Sequence, residues 1–192
     1  MERNWWVVVV VVVLSVAACG ARSPQAGTAA TAPVVPRGLH AEIRDSSVDA
    51  LPDYRIPVSP DLVFAIVDVS ADAITFGLRL RPGSFDAAAT RFAIDLDIDQ
   101  NAATGSAGIE YNVAVFPAGG KGADVARTTS TGPAVVATVP VRFVEDGCDL
   151  AIPRSLLGND DGRFDFRVQV YAQPAFPTVI DLLPDVGLVR IE

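Results

Sequence analysis

The sequence predicts an all-β domain, a two-sheet antiparallel sandwich that is jelly-roll-like or immunoglobulin-like, with one short helical turn near residues 153–158. The acidic residues are 18 Asp and only 5 Glu, and Lys121 is the single lysine, so the usual surface residues of helices are scarce. Val, Phe, Thr, Gly and Pro are abundant, which is typical of short strands joined by turns. The helical turn is placed between Pro153 and Gly158, because Pro is favoured at a helix start and Gly after a helix end.

Short runs of alternating apolar and polar residues, separated by turn residues, give the predicted strands. They cover residues 62–70, 73–80, 91–98, 109–116, 125–129, 134–144, 148–153, 163–172 and 186–192. In the run 91–98, Phe92, Ile94, Leu96 and Ile98 point the same way, so this strand has one face for a core. Eight or nine strands at such spacing indicate a sandwich or a small barrel.

One predicted hairpin carries a cysteine. Asp146 and Gly147 are predicted to form its two-residue loop, which sets Phe143 opposite Leu150. Cys148 then lies on the apolar face of the hairpin. The pattern therefore predicts that Cys148 is a small buried core residue and not a nucleophile.

An apolar block, WWVVVVVVVLSVAA at residues 5–18, precedes Cys19. It is shorter than the roughly 20 residues of a membrane-spanning helix and fits the core of a signal peptide. The sequence VAAC that ends at Cys19 resembles the lipobox of bacterial lipoproteins, which implies that residues 1–18 are a signal peptide and that Cys19 is lipidated. An ordinary cleaved signal and an uncleaved anchor stay open as alternatives. Residues 19–39, rich in Ala, Gly, Thr and Pro, are predicted to be a flexible tether to a domain at 40–192.

The composition excludes several classes of function. The formal net charge is −8, which opposes binding to phosphate backbones, so no nucleic-acid partner is predicted. His40 is the single histidine and lies at the end of the tether, which excludes a His-based catalytic triad or a multi-His metal site. The sequence contains no nucleophile-elbow, zinc-protease or phosphate-binding glycine motif. We therefore expect a protein without enzymatic activity.

The stretch LDIDQNAATG places oxygen-bearing side chains at alternate positions where a predicted strand ends. Counted as an EF-hand-type loop, Asp97, Asp99 and Asn101 stand at positions 1, 3 and 5, and such hard oxygen ligands suit calcium. The match is incomplete, since Ala102 occupies the usual Gly position and Gly108 the usual Glu position. The predicted ligands are Asp97, Asp99, Asn101, the Ala103 carbonyl, the Thr104 hydroxyl and Glu110.

Two other interpretations of the same carboxylates stay open. The segment that follows Asp99 is also an ordinary polar turn, with Gly105 supplying a positive φ. A catalytic pair of acids is the less favoured interpretation. Glycosidase carboxyls lie about 5–9 Å apart in a cleft and one has a raised pKa, whereas neighbours at an exposed strand end have no evident source of desolvation.

The order of several segments resembles a group of extracellular bacterial domains. These segments are DALPD at 49–53, LDIDQNAATG, GIEY at 108–111, PRSLLG at 153–158 and DLLPDVG at 181–187. Together they are similar to the DOMON-like and family 9 carbohydrate-binding-module-like β-sandwich domains. The resemblance implies a two-sheet sandwich whose relatives bind sugars, haem or calcium, or have no known ligand.

The resemblance and the lipobox-like sequence together imply a function class. We expect a lipid-anchored bacterial envelope protein whose domain lies in the periplasm or at the cell surface and binds a glycan or an envelope protein. Haem is disfavoured, because the domain has no Met and its only His is His40. The alternative is a purely structural envelope lipoprotein that assembles with partners and has no small-molecule ligand.

Overall fold

The computed structural model describes residues 38–45, 49–51, 58–116, 122–158, 160–172 and 178–192. In these residues the chain forms eleven strands and one turn of 3₁₀ helix. The strands are β1 (Leu39–Arg44), β2 (Leu62–Val69), β3 (Ala73–Leu80), β4 (Thr90–Asp97), β5 (Tyr111–Val115), β6 (Gly122–Thr129), β7 (Gly132–Val144), β8 (Gly147–Pro153), β9 (Phe164–Ala172), β10 (Val179–Leu183) and β11 (Val189–Ile191). The 3₁₀ turn is Arg154–Leu156, inside the range predicted for a helical turn.

The strand pairings of the described residues are all antiparallel, so the predicted all-β antiparallel class is confirmed. Neighbouring strands follow the order β1-β2-β3-β8-β7-β6-β5-β4-β9-β10. β10 pairs with the second half of β9, and β11 pairs with its first half along the same edge. The whole set curls into a half-barrel.

The long strand β7 sits at the middle of this curl. Its residues 132–140 pair with β6, and its residues 141–144 pair with β8. A strand that changes partner along its length lets a sheet turn a corner. The turn brings strands that are distant in the pairing order toward each other.

The core fills the inside of the curl. Phe76 of β3 meets Phe164 and Phe166 of β9 edge to face, with ring centroids 6.3 and 5.3 Å apart. All three rings are fully buried, and burying an aromatic side chain of this size contributes about 1.5–3 kcal/mol. This packing fixes β9 and, through its ladder with β4, the place where β4 ends.

The predicted core faces are confirmed where the alternation is regular. Phe92, Ile94, Leu96 and Ile98 are all buried. The prediction missed β1 and β10. β1 does alternate, with Leu39, Ala41 and Ile43 half-buried against the core and the residues between them exposed, so its pattern was available in the sequence and was overlooked. β10 carries a buried aspartate in the middle of an apolar run and lacks the alternation of a strand with one core face.

The predicted register of the cysteine hairpin is wrong by two residues. Phe143 pairs with Cys148, and the loop is Glu145 and Asp146. Gly147 is part of β8, where it pairs with Arg79 of β3, and a β-carbon there would overlap the carbonyl oxygen that precedes Arg79. A shift of two residues keeps the same side chains on the same face. Cys148 is therefore buried, as predicted.

The predictions for the N-terminus lie outside the described residues. These are the signal peptide at 1–18, the lipidated Cys19 and nearly all of the tether at 19–39. Among the residues that the structure describes, none belongs to a helix of the length and apolar character needed to cross a bilayer.

Candidate functional site

The candidate site begins where β4 ends. β4 lies between β5 and β9, and its last residue, Asp97, is only 4% exposed. The chain then leaves strand geometry, with Gln100 at a φ of 53°. This change of direction turns the side chains after Asp97 back over the end of the strand.

Side chains hold the backbone of this turn. The amide of Asn101 donates to Oδ1 of Asp97 at 3.1 Å and to Oδ1 of Asp99 at 3.0 Å. The amide of Ala103 donates to Oδ1 of Asn101 at 3.1 Å. Aspartate and asparagine stabilise turns in this way, since their short side chains reach the backbone two to four residues on.

Glu110 returns to the same place from the other end of the loop. Its backbone amide donates to the Leu96 carbonyl at 3.0 Å, and its Oε2 accepts from the Ile98 amide at 2.9 Å. Both the main chain and the side chain of Glu110 are thus attached to the end of β4. The loop at 97–110 is closed at its base.

Thr104 lies among the carboxylates. Its hydroxyl approaches Oδ1 of Asp99 at 2.9 Å, the Asn101 carbonyl at 2.8 Å and Oε1 of Glu110. A hydroxyl has one hydrogen to donate, so these three acceptors share a single proton. Oδ1 of Asp99 and the Asn101 carbonyl each also accept from a backbone amide of the loop, so the hydroxyl hydrogen can go to Oε1 of Glu110.

Asp97, Asp99 and Glu110 bring one carboxylate oxygen each to within 4.8 Å of one another. Calcium binds oxygen at about 2.3–2.6 Å, so ligands on opposite sides of one ion are about 5 Å apart. The three oxygens therefore lie within the span of one calcium coordination sphere. Hard oxygen donors of this kind suit calcium and give no preference to zinc or copper.

Burial raises the pKa of the Asp97 carboxyl, and the negative charges of Glu110, Asp165 and Asp99 raise it further. The hydrogen bond from the Asn101 amide acts in the opposite direction. The protein thus keeps a carboxylate where desolvation and like charge both disfavour ionisation. The positive charge of a bound cation would offset both penalties.

The remaining predicted ligands are placed differently. The Asn101 side-chain oxygen accepts from the Ala103 amide, and Ala103 is exposed. Thr104 touches two of the three carboxylates. The structure thus brings together Asp97, Asp99, Thr104 and Glu110, whereas the described hydrogen bonds of Asn101 and Ala103 serve the turn itself.

Glycine makes the return of the loop possible. Gly105 has a φ of 55°, and a β-carbon there would overlap the Ile109 carbonyl oxygen. Gly108 has a φ of 90°, and a β-carbon there would lie 3.1 Å from Oδ2 of Asp97. Because neither position has a side chain, the chain can pass close to the Ile109 carbonyl at Gly105 and to the Asp97 carboxylate at Gly108.

A second acidic cluster was not predicted. One oxygen each of Asp49, Asp61 and Asp181 lie within 4.8 Å of one another. Asp181, in β10, is 5% exposed and accepts from the Leu62 amide of β2 at 2.6 Å. Burial raises its pKa to about 7. The available sequence signal was an aspartate inside the apolar run VIDLL.

The outward polar residues of the strands form cross-strand pairs. Asp95 is buried at the centre of one group and accepts hydrogen bonds from Asn112, Arg167 and Gln169. Arg79 pairs with Asp149 on a neighbouring pair of strands. The large apolar side chains exposed in the described residues are Leu51, Val58, Val135, Val136 and Val186, and none of them is aromatic. The described surface therefore offers no exposed aromatic platform for a sugar ring.

Two cavities flank Asp99. One, of about 410 Å³, is lined by Thr104, Glu110, Tyr111 and Arg127 together with Asp99. The other, of about 260 Å³, is lined by Gln100, Asp161 and Arg163 together with Asp99. The carboxylate cluster thus lies beside two open cavities, of which the smaller is mostly polar.

Comparisons with known proteins gave no match. The chain fits no protein-family model, and neither a curated protein nor a solved structure is significantly similar to it.

Proposed function

We propose that this chain is a lipid-anchored, non-enzymatic binding protein of the bacterial envelope, and that its loop at 97–110 binds calcium. The single observation that carries the calcium proposal is the convergence of the Asp97, Asp99 and Glu110 carboxylates to within 4.8 Å. Asp97, Asp99 and Glu110 would hold the ion, with the Thr104 hydroxyl as a further oxygen. The ion would supply positive charge that offsets their mutual repulsion.

Several features support a binding role over a catalytic one. His40, the only histidine, is exposed on β1 and hydrogen bonded to Asp68 at 2.6 Å. Cys148 is buried, so its thiol cannot reach a substrate. The carboxylates of the loop lie closer together than the two acids of a glycosidase, which leave about 5–9 Å between them for the sugar and water.

The N-terminal sequence supports the proposed location in the cell envelope. A 14-residue apolar block that ends in VAAC fits export followed by lipidation at Cys19. Lipid chains would hold the domain at a membrane on the extracytoplasmic side, where calcium is available at the concentrations that extracellular sites require.

The curl of the sheet is compatible with the sandwich proposed from the sequence. In a sandwich interpretation, β1, β2, β3 and β8 form one layer, β4, β5, β6, β9 and β10 form the other, and β7 crosses between them. The contact of Phe76 with Phe164 and Phe166 supports two facing layers.

Calorimetric titration of calcium into the full chain, purified in detergent after removal of metal by a chelator, tests the calcium proposal. We expect one site with a Kd between about 10⁻⁶ and 10⁻³ M, the range of sensor and extracellular sites. Loss of the heat signal in Glu110→Gln, with an unchanged signal in Glu42→Gln, would assign the site. Glu42 is a suitable control because it lies on β1 and pairs with Arg44. A titration without heat in the unaltered protein would overturn the proposal.

One observation favours a structural assembly protein as the second candidate. Val135 and Val136 of β7 are exposed, in a part of the strand that contains no charged residue. Exposed apolar positions on a strand suit a protein partner more than a sugar. Val135→Lys would abolish co-purification of an envelope protein if this candidate is correct and would leave it unchanged otherwise.

A further inference from the structure

The two cavities beside Asp99 share part of their lining, and we call the pair the groove. Both are lined by Ile98 and Asp99, and their volumes are about 410 and 260 Å³. Asp99 is exposed and lines both cavities. A ligand lying in both cavities would therefore cross the carboxylate cluster of the loop.

Each cavity has one arginine in its lining, Arg127 in the larger and Arg163 in the smaller. Both side chains are exposed, and neither forms an ion pair with a carboxylate of the described residues. This sets them apart from arginines such as Arg79, Arg154 and Arg167, which each pair with an aspartate. Each of the two cavities that share Asp99 thus has an available guanidinium group.

The groove also offers acceptors for hydroxyl hydrogens. Asp99, Glu110 and Thr104 line the larger cavity, and Asp161 lines the smaller one. A densely charged polyanion would meet these carboxylates and be repelled. A ligand with many hydroxyl groups and only occasional carboxylates fits both the acids and the arginines of the groove. Its hydroxyls can donate to the acids, and its carboxylates can bind the arginines.

We propose that this groove binds a carboxylated oligosaccharide, of the kind in which occasional uronic acids stand among neutral sugars. The inference rests on the proposed binding function, since it names the ligand class of the same loop. Asp97, Asp99, Glu110 and Asp161 outweigh the two arginines in charge, and a calcium ion at the loop balances the difference. Calcium therefore increases the affinity of the groove for an acidic sugar.

The test is a titration of the full chain, in detergent, with an acidic tetramer, a galactose tetramer that has galacturonate at its two ends, and with a neutral galactose tetramer of the same length. We expect the acidic tetramer to bind at least tenfold more tightly than the neutral one. Arg127→Gln and Arg163→Gln should each weaken its binding about tenfold. Arg142→Gln is the control, because Arg142 is exposed, pairs with Asp149 and lines neither cavity. It should change the affinity less than twofold.

The outcomes separate this inference from the calcium proposal. Equal affinity for the two tetramers, or an unchanged affinity in both groove variants, would overturn the uronate assignment while the calcium titration stands. Binding of the acidic tetramer that depends on both arginines, in a protein that does not bind calcium, would support the groove and remove the calcium site. An acidic peptide of equal charge that binds as tightly as the tetramer would overturn the assignment to a sugar.

Discussion

Oε2 of Glu110 accepts a hydrogen bond from the Ile98 amide at 2.9 Å, across twelve residues of chain. The backbone amide of Glu110 also binds β4, at the Leu96 carbonyl. Two contacts therefore position the Glu110 carboxylate beside Asp97 and Asp99 in the protein alone. A cation at this site would neutralise charge in a loop that is already assembled, so its effect should appear mainly as added stability.

Calcium is predicted to raise the melting temperature of the chain. Binding to the folded state alone adds RT ln(1 + [L]/Kd), which is about 2.7 kcal/mol for millimolar calcium and a Kd of about 10 µM. For a domain of this size that is a rise of roughly 5–10 °C relative to chelator. The measurement is a pair of thermal melts of the full chain in detergent. Magnesium should raise the melting temperature much less, because it demands near-ideal octahedral geometry.

The calcium response should depend on the clustered carboxylates alone. We expect Asp97→Ala and Asp99→Ala to melt at the same temperature in calcium and in chelator, while Glu42→Gln retains the full rise. If the two melts of the unaltered protein coincide, the loop at 97–110 is a polar turn.

Gly105 is predicted to be far less tolerant of alanine than Gly83. Both have a positive φ, so each alanine costs about 1–2 kcal/mol of backbone strain. At Gly83 nothing lies within 4 Å of the added carbon, whereas at Gly105 it overlaps the Ile109 carbonyl oxygen. Chemical denaturation should show that the free energy of unfolding falls by more than about 3 kcal/mol in Gly105→Ala and by about 1 kcal/mol in Gly83→Ala. Equal losses would mean that the loop returns by another path.

The alternation of apolar and polar residues predicted the core-facing side chains of strands that have one buried face. Phe92, Leu96 and Phe166 lie in the core, since side chains of a strand alternate and one face is apolar. The predicted register of the cysteine hairpin was wrong because Gly147 lies against β3, which is a contact between distant parts of the chain. A two-residue hairpin pattern does not contain that information.

The same limit applies to the two acidic clusters. The convergence of Asp97, Asp99 and Glu110 could be predicted because all three belong to one short loop. Asp181 meets the Leu62 amide across 119 residues, and no local spacing signals such a contact. The part of the candidate site that depends on pairing between distant strands, including Arg127 and Arg163 in the two cavities that share Asp99, appears only in the folded chain.

Cys148 is predicted to react slowly with thiol reagents in the folded protein. It is fully buried, and burial raises its pKa to about 12, so both access and thiolate formation are suppressed. Cys19→Ser leaves Cys148 as the only thiol, and its labelling rate can be compared in buffer and in denaturant. Rapid labelling in buffer would contradict the placement of Cys148 in the core.

Cys19 is predicted to carry lipid. The chain should incorporate radioactive palmitate and partition into detergent, because each buried methylene contributes about 0.8 kcal/mol and several acyl chains make release negligible. Cys19→Ser should abolish both properties, while Cys148→Ser, the matched control, should retain them. Palmitate labelling of Cys19→Ser at the level of the unaltered protein would reject the lipoprotein proposal.

Asp181 is predicted to make the fold less stable as the pH rises. The Leu62 and Leu182 amides donate to its carboxylate and favour ionisation. Burial opposes them and dominates, and the nearby Asp45 and Asp49 charges add to it, which leaves the pKa at about 7. Asp61 lies in the same cluster and pairs with Arg81 at 2.7 Å. The folded state therefore holds a proton that the unfolded chain releases near pH 4.

The sign of the effect follows from proton binding. Between about pH 4 and pH 7 the folded state binds one more proton than the unfolded state. The contribution of Asp181 to the free energy of unfolding is therefore fully present below pH 4 and is lost as the pH rises through 7. A shift of this size corresponds to about 4 kcal/mol at most. Melts in chelator, from pH 4.5 to pH 8, should show a falling melting temperature for the unaltered protein and a flatter profile for Asp181→Asn. Asp68→Asn, which removes an exposed partner of His40, should keep the slope of the unaltered protein. If Asp181→Asn and the unaltered protein fall in parallel, the Asp181 carboxyl is ionised in the folded state and the buried proton lies elsewhere.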